Sequence, residues 1–117
     1  MKNLKEKIND LNSLVVQGEA LVAFEKYYHE DVVMQENDLA PTVGKEANLE
    51  REQAFLNAVT EFRGAEPLLT TVGEDATMVK WHYDYTHKEW GERKYTQVSV
   101  QEWKDGLIIK ETFYYGS

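Results

Sequence analysis

Residues 97–115 read QVSVQEWKDGLIIKETFYY, two runs rich in β-branched and aromatic residues with Lys104-Asp105-Gly106 between them. Runs of this composition around a turn sequence predict a β-hairpin. Asp followed by Gly suits a type I turn that ends in a left-handed glycine, which gives a three-residue loop and pairs Trp103 with Leu107. A two-residue loop would instead turn the last strand over, because successive side chains of a strand point to opposite faces.

The three-residue loop sorts the hairpin side chains into two faces. Counting outward by two residues places on one face Gln97, Ser99, Gln101, Trp103, Leu107, Ile109, Glu111, Phe113 and Tyr115. The other face then carries Val98, Val100, Glu102, Ile108, Lys110, Thr112 and Tyr114. Both faces are partly apolar, although a sheet covered by helices on one side should present a polar side to water. We therefore expect a second copy of the chain to stack on the convex face, giving a homodimer.

The pattern of strands continues upstream of this hairpin. Turn sequences at residues 73–75 and 90–92, together with the turn at 104–106, divide the chain beyond Pro67 into four strands. Two of them, residues 76–88 and 92–103, are long enough to require a bent, strongly twisted sheet.

The N-terminal part has the period of helices instead. Apolar residues recur at spacings of three and four in residues 4–15 and again in residues 21–28, with Gly18 between the two predicted helices and Asp31 ending the second. A short strand is predicted at residues 32–36. A third helix is predicted at residues 44–62, with inner positions at Ala47, Ala54, Ala58 and Phe62. Helices followed by strands indicate an α+β fold, with N-terminal helices packed on a strongly curved antiparallel sheet.

Length and composition narrow the possible functions. A chain of 117 residues predicts one domain, residues 1–117, with a single core. A net charge of −8, from 13 basic and 21 acidic residues, argues against nucleic acid as a partner. No run approaches the roughly 18 to 20 apolar residues that cross a membrane, and the charged N-terminus lacks the apolar stretch of a signal peptide. With no cysteine in the chain, we expect a cytoplasmic location.

Three segments carry a resemblance to a known family. Residues 27–34, YYHEDVVM, and residues 44–47, GKEA, resemble the Y-x-x-D-x-V and G-x-x-A segments of SnoaL-like proteins, which belong to the nuclear transport factor 2-like superfamily. The run from Val98 to Tyr115 resembles the V-x-x-F/W-x-x-D-G-K-I hairpin that closes those chains. The resemblance covers nearly the whole sequence. It implies a cone-shaped α+β barrel, commonly dimeric, with a cavity between the helices and the concave sheet.

The resemblance implies less about chemistry. Members of this group include polyketide cyclases, ketosteroid isomerases, dehydratases, epoxide hydrolases and binding modules without catalysis, and one scaffold commonly hosts many functions. Glu36 stands where the similar ketosteroid isomerases carry a general-base aspartate. Held in an apolar wall of Met34, Trp103 and Phe113, such a carboxylate would have a raised pKa and could remove a proton next to a carbonyl. The alternative is a solvated loop residue. The oxyanion donors of those isomerases are not matched, because their positions fall near Asn12 and at Ser99.

His82 and Asp84 form a second candidate pair. They lie two residues apart on a predicted strand, so both point to one face, where an aspartate could fix the histidine in one tautomer as a proton shuttle. An even loop around Trp90-Gly91 brings this pair into the pocket, whereas an odd loop brings Trp81 and Tyr83 inside instead. The alternative reading is an ordinary polar rim. No histidines have the spacing of metal ligands, so we expect neither a metal nor another cofactor.

Together these patterns predict a small-molecule pocket protein. It would be a cofactor-free isomerase, cyclase or dehydratase that abstracts a proton next to a carbonyl, with Glu36, His82 and Asp84 as catalytic residues. A small apolar or aromatic ligand would contact Met34, Ser99, Gln101, Trp103, Glu111, Phe113 and Tyr115. The competing hypothesis is a ligand-binding or dimerisation module of the same fold. An epoxide hydrolase would need an Asp-Arg-Asp set, and the arginines Arg51, Arg63 and Arg93 are expected at surface or loop positions.

Overall fold

The computed structural model describes residues 3–116 and contains three helices and six strands in that range. In chain order these are α1 (Leu4–Val16), α2 (Ala20–Tyr27), β1 (Tyr28–Glu36), β2 (Thr42–Val43), α3 (Lys45–Ala58), β3 (Val59–Val72), β4 (Ala76–His87), β5 (Gly91–Lys104) and β6 (Leu107–Tyr115). The predicted α+β fold, with helices packed on a sheet, is confirmed. No helix within residues 3–116 is long and apolar enough to cross a membrane.

The six strands form one sheet in the order β2-β1-β6-β5-β4-β3. All neighbouring strands run antiparallel except β1 and β6, which are parallel. The sheet is therefore mixed rather than purely antiparallel as predicted. It is also open, since β2 and β3 each have one unpaired edge.

The helices cover one face of this sheet, which we call the inner face. Ile8 from α1 and Phe24 from α2 are buried in a single cluster with Trp81, Trp103 and Ile108 from the strands. Helix α1 is fixed at its start by a capping box, in which the Asn3 side chain accepts from the Glu6 backbone N–H and the Glu6 carboxylate accepts from that of Asn3. The amphipathic pattern read in residues 4–15 thus becomes the inner surface of α1.

Two helices end earlier than predicted, and in both cases a strand begins at the next residue. The second helix stops at Tyr27, because Tyr28 already pairs with Ile108 in the sheet. The third helix stops at Ala58 rather than Phe62, and residues 59–62 pair with the end of β4. Of its predicted inner positions Ala58 is buried, whereas Ala47, Ala54 and Phe62 are exposed.

Strand β3 runs through Pro67. Its pairing with β4 shifts register at three places, after Val59, after Phe62 and after Pro67. A proline is tolerated because β3 is an edge strand, where one side of the backbone needs no partner. Register shifts of this kind bend and twist a sheet, which is how two long strands can curve around the helices.

The loop of the β5–β6 hairpin has two residues, not three. Lys104 pairs with Leu107, and both Asp105 (φ 54°) and Gly106 (φ 82°) adopt the left-handed conformation that a two-residue hairpin turn requires. The last strand is nevertheless not turned over. Glu102 pairs with Lys110 and Trp103 with Ile108, so one extra residue, Ile109, bulges out and restores the predicted faces beyond it.

The predicted faces are therefore right beyond the bulge and wrong only next to the turn. Gln97, Ser99 and Gln101 pair with Tyr115, Phe113 and Glu111 on the inner face, as predicted. Ile108, predicted on the outer face, is instead fully buried beside Trp103 on the inner face.

Candidate functional site

A cavity of about 1100 Å³ lies between the helices and the inner face of the sheet. This volume is sufficient for a drug-sized small molecule. Its wall includes six of the side chains predicted to contact a ligand, namely Met34, Ser99, Gln101, Glu111, Phe113 and Tyr115, together with the predicted base Glu36. Trp103 does not line it. That indole lies in the core, edge-on to Tyr27 at a centroid distance of 6.2 Å.

A chain of buried hydrogen bonds leads from the core to the wall of the cavity. The Trp103 indole Nε1 donates to the Thr77 hydroxyl (2.9 Å), which donates to Gln101 Oε1 (2.7 Å). Gln101 Nε2 in turn donates to Glu111 Oε2 (2.7 Å), and the Tyr28 hydroxyl donates to Glu111 Oε1. Every member is at most 7% exposed. Since the indole can only donate, the direction of the whole chain is fixed and ends on the Glu111 carboxyl group.

Glu111 is the titratable group at the end of this chain. Burial raises the pKa of its carboxyl group to about 7, although the hydrogen bonds from Gln101 and Tyr28 act in the opposite direction and nearby Glu52 adds to the increase. A buried carboxyl disfavours its charged form because the charge loses its hydration. The protonated and ionised forms of Glu111 are therefore both populated near neutral pH.

Tyrosines beside Glu111 remain protonated. Burial, and next the negative charge of Glu111, raises the pKa of both Tyr28 and Tyr83 well above the usual value. Tyr28 uses its proton to bond Glu111, whereas no partner is found for the Tyr83 hydroxyl among residues 3–116. Tyr83 lines the cavity and is therefore available as a hydrogen-bond donor to a ligand.

Glu36 ends β1 at the rim of the cavity, where its side chain is 37% exposed. Its carboxylate accepts hydrogen bonds from the Tyr115 hydroxyl (2.7 Å) and from Arg51 Nη2 (2.7 Å). Burial, and then the bond to Glu36, raises the pKa of Tyr115 to about 12. The expected apolar wall is thus replaced by an ion pair and a tyrosine.

Glu52 of α3 adds a further carboxyl group to the cavity wall. Burial raises its pKa, the positive charge of Arg51 lowers it, and the negative charge of Glu36 raises it again.

The prediction that His82 and Asp84 reach the pocket is wrong. His87 pairs with Gly91, so the loop between β4 and β5 has three residues, the odd alternative. His82 therefore pairs with Thr96 on the outer face, and Asp84 accepts a hydrogen bond there from Arg63 Nε (2.7 Å). Trp81 and Tyr83 point into the cavity instead.

An aromatic cluster that the sequence analysis did not assign lies at the β4–β5 end of the cavity. It consists of Phe55, Tyr85, His87 and Trp90, with the His87 and Trp90 rings stacked at 3.8 Å and Phe55 edge-on to Tyr85 at 5.4 Å. Trp90 is 59% exposed, so the cluster reaches the solvent. The alternating aromatic residues of 81–87 would have indicated this cluster once the odd loop was chosen.

Arginines and metal-binding groups complete the description of the site. Arg51 lines the rim of the cavity from an exposed position, as expected, whereas Arg93 is half-buried on β5 in the cavity wall, contrary to the expected surface or loop position. No aspartate in residues 3–116 lines the cavity, so the Asp-Arg-Asp set of an epoxide hydrolase is not formed there. No three side chains of the His, Cys, Asp or Glu type converge as metal ligands within the same range.

The family model described as the SnoaL-like domain matches residues 12–111 of this chain. The resemblance inferred from the sequence is therefore confirmed. No curated protein sequence matches this chain significantly.

Solved structures extend the comparison over the whole fold. A proposed SnoaL-like polyketide cyclase from Mesorhizobium loti is 28% identical, with 97% of this chain and 100% of that chain covered and a TM-score of 0.87. A Catenulispora acidiphila protein with a ketosteroid isomerase-like fold, in complex with trimethylamine, is 10% identical (95% and 85% covered, TM-score 0.77). An LEH-like epoxide hydrolase from M. tuberculosis is 12% identical (95% and 80% covered, TM-score 0.75). The last two likenesses show the fold alone.

Proposed function

Because this chain belongs to the SnoaL-like domain family, we propose that its cavity binds a small, flat carbonyl compound and transfers a proton at the carbon next to the carbonyl group. The reaction class is a cofactor-free isomerisation, cyclisation or dehydration. The observation that carries the proposal is the buried Glu111 carboxyl group with a pKa of about 7. A general base works best when its pKa is close to the working pH, and few carboxyl groups reach that value.

In the proposed step, ionised Glu111 removes the proton as the carbon–hydrogen bond breaks. The electron pair moves into a new carbon–carbon double bond, and the negative charge appears on the carbonyl oxygen. Tyr83, whose hydroxyl has no partner in the part of the chain that is described, donates a hydrogen bond to that oxygen. Protonated Glu111 then returns the proton to another carbon or to a leaving group.

Glu36 is not the base in this proposal. Its negative charge is already compensated by Arg51 at 2.7 Å, and its side chain is open to water at the rim. A base at such a place would be both paired and hydrated, and removing a carbon-bound proton would cost more free energy there than at a desolvated carboxyl group.

The competing function is ligand binding without catalysis. One observation favours it, namely that both oxygens of Glu111 already accept a hydrogen bond from the protein. A carboxylate has further lone pairs, so these bonds do not by themselves prevent proton transfer.

Exchange of carbon-bound protons distinguishes the two functions without knowledge of the natural substrate. We would incubate the protein with 2-tetralone, a flat bicyclic ketone, in D2O and follow deuterium incorporation next to the carbonyl by NMR. Glu111→Gln is expected to slow the protein-dependent exchange about 100-fold or more, the usual contribution of a general base. Tyr83→Phe should slow it less, and Glu36→Gln least.

Three outcomes would contradict the proposal. Unchanged exchange in Glu111→Gln would exclude Glu111 as the base. Loss of exchange in Glu36→Gln alone would return that role to Glu36, as the sequence predicted. Binding of the ketone to the wild-type protein without any exchange would favour the non-catalytic module.

We further propose that the protein is a homodimer formed through the outer face of the sheet. Apolar side chains from three adjacent strands lie side by side on that face: Met78, Val98, Val100 and Tyr114. Met78 and Tyr114 are 48% and 51% exposed. Both signs of charge surround them, with Lys80, Lys94 and Lys110 beside Asp84, Glu92 and Glu102. A two-fold axis can match such a mixed surface with itself.

A further inference from the structure

The arginines of the cavity differ in how their charges are compensated. Arg51 forms an ion pair with Glu36 at 2.7 Å. Arg93 forms no ion pair and no hydrogen bond to any part of residues 3–116, and its Nε is buried without a partner. Lys88 also lines the cavity, but its side chain is exposed and its charge is hydrated. Within residues 3–116, Arg93 is thus the half-buried cavity cation whose positive charge is balanced neither by a carboxylate in an ion pair nor by exposure to water.

The terminal N–H groups of Arg93 are not enclosed as its Nε is, and they also have no partner within residues 3–116. Ligand oxygens that accept from them gain charge-assisted hydrogen bonds without breaking any that the protein already makes. The guanidinium of Arg93 lies over the Tyr95 ring, 5.2 Å from its centroid, so one of its faces is already occupied. Its edge, which carries the donors, is left for the ligand. A guanidinium edge matches the two oxygens of a carboxylate better than it matches any single acceptor.

The surroundings of Arg93 select a flat partner. Arg93 pairs with Tyr85 across β5 and β4, which places it at the aromatic cluster of Phe55, Tyr85, His87 and Trp90. The partly exposed ring of Trp90 can stack on an aromatic ligand from the solvent side. A ligand with an aromatic ring next to an anionic group would therefore match both the cluster and Arg93.

We infer that the ligand of this cavity carries a carboxylate attached to an aromatic ring, with the ring against the aromatic cluster and the carboxylate on Arg93. This inference rests on the proposed function only in that the cavity binds a small molecule. It assigns Arg93 as the residue that determines specificity for an anion. Arg93 lies eight residues along β5 from Gln101, the partner of Glu111, so a ligand that reaches both ends of the cavity is elongated.

Two probes of equal shape test the inference. 2-Naphthoate is an anion near neutral pH, and 2-naphthamide is its uncharged counterpart. Isothermal titration calorimetry should show that the wild-type protein binds the naphthoate about tenfold tighter or more, as expected for a charge-assisted hydrogen bond. In Arg93→Gln this preference should fall to within about twofold. Arg93→Lys, which keeps the charge but not the fork of donors, should retain part of it.

The matched control is Arg63→Gln. Arg63 carries the same charge but bonds Asp84 on the outer face, so its removal changes the net charge equally without touching the cavity. The preference for naphthoate should survive in this variant.

The inference is overturned if naphthamide binds the wild-type protein as tightly as naphthoate, or if the preference persists in Arg93→Gln. The first result would still leave the cavity as a small-molecule site and therefore would not touch the proposed function. Failure of both probes to bind at millimolar concentration would also overturn it, and deuterium exchange into 2-tetralone would then test the proposed function independently. Conversely, a preference for naphthoate combined with unchanged exchange in Glu111→Gln would remove the proposed base but keep the ligand class.

Discussion

The protonation of Glu111 ties the stability of the whole fold to pH. Its pKa is about 7 in the folded protein against 4.5 for an unperturbed glutamate. Between these values the folded chain binds more protons than the unfolded chain, so the free energy of unfolding falls as the pH rises. The part that Glu111 contributes is fully present below pH 4.5 and is lost as the pH passes through about 7. Its upper limit is about 3 kcal/mol.

Urea unfolding of the wild-type protein and of Glu111→Gln between pH 5 and pH 8 measures this contribution. The glutamine variant cannot ionise, so its stability should fall less steeply over that range. Glu102→Gln removes an exposed carboxylate from the same hairpin and should leave the wild-type slope. Parallel curves for wild type and Glu111→Gln would show that Glu111 is not protonated near neutral pH.

Removing the hydroxyl group of Thr77 is predicted to lower the stability of the protein, because this group makes two of the buried hydrogen bonds. Thr77 is 1% exposed, accepts from the Trp103 indole and donates to Gln101. Thr77→Val keeps the shape but leaves a buried donor and a buried acceptor without partners, which should cost about 1–3 kcal/mol. Chemical denaturation measures the loss. The same substitution at Thr96, which is exposed on the outer face, should change stability by no more than about 0.5 kcal/mol.

Glu36 and Glu111 show what sequence reasoning can and cannot decide about single residues. Strand alternation predicted Glu111 on the inner face and the family resemblance predicted Glu36 in the cavity, and both line it. Which of them is desolvated depends on side chains far apart in the chain, Arg51 for Glu36 and Tyr28 for Glu111. No local pattern reports such partners, so the titratable group of the site could not be chosen from the sequence.

At the scale of elements, the β5–β6 hairpin shows how two errors can cancel. The predicted three-residue loop was wrong, but a bulge at Ile109 adds the residue that the shorter turn removes. Asp-Gly suits both turn types, since both place the glycine in the left-handed region. The identity of the turn was therefore ambiguous in the sequence, whereas the face of Glu111 and Phe113 was constrained by the burial of one side of the sheet.

The two turn residues are predicted to respond differently to substitution. Gly106 has φ 82°, where an L-residue is strained, so Gly106→Ala should destabilise the protein by about 1 kcal/mol or more. The new Cβ would also lie 2.8 Å from Lys7 Nζ, but that flexible amine can move. Asp105→Asn should be nearly neutral, because asparagine tolerates the left-handed conformation at φ 54°. Thermal unfolding compares the two. Equal losses in both variants would contradict the assignment of strain to Gly106.

The predicted boundary between α3 and β3 was wrong because strand pairing, not the local sequence, determines where β3 begins. Residues 59–62 continue the spacing of the preceding helix, yet Val59 and Phe62 pair with His87 and Tyr85 of β4. Strand pairing with a distant partner outweighs the local preference of a few residues. The consequence is functional, because β3 thereby supplies Phe62 to the cavity wall.

At the scale of the whole molecule, the inner and outer faces of the sheet carry different groups of side chains. Inner side chains surround the cavity and Glu111, while the outer face presents the apolar group of Met78, Val98, Val100 and Tyr114. Sequence alternation was sufficient to predict both faces of the last hairpin beyond the bulge at Ile109, but not next to the turn. It could not place β4, since the parity of the loop at residues 88–90 alone decides whether His82 or Tyr83 looks inward.

The outer face gives the last prediction, which concerns the oligomeric state. If two copies stack through it, light scattering behind a sizing column should report twice the 13.6 kDa mass of the chain. Val100→Lys places a charge at the centre of the apolar group, between Met78 and Thr112, and should yield the monomer because the charge would be desolvated in the interface. Leu39→Lys alters an equally apolar residue, 65% exposed and outside the sheet, and should remain dimeric. A wild-type mass of 13.6 kDa at micromolar concentration would refute the dimer, and the exposed Met78 and Tyr114 would then need another explanation.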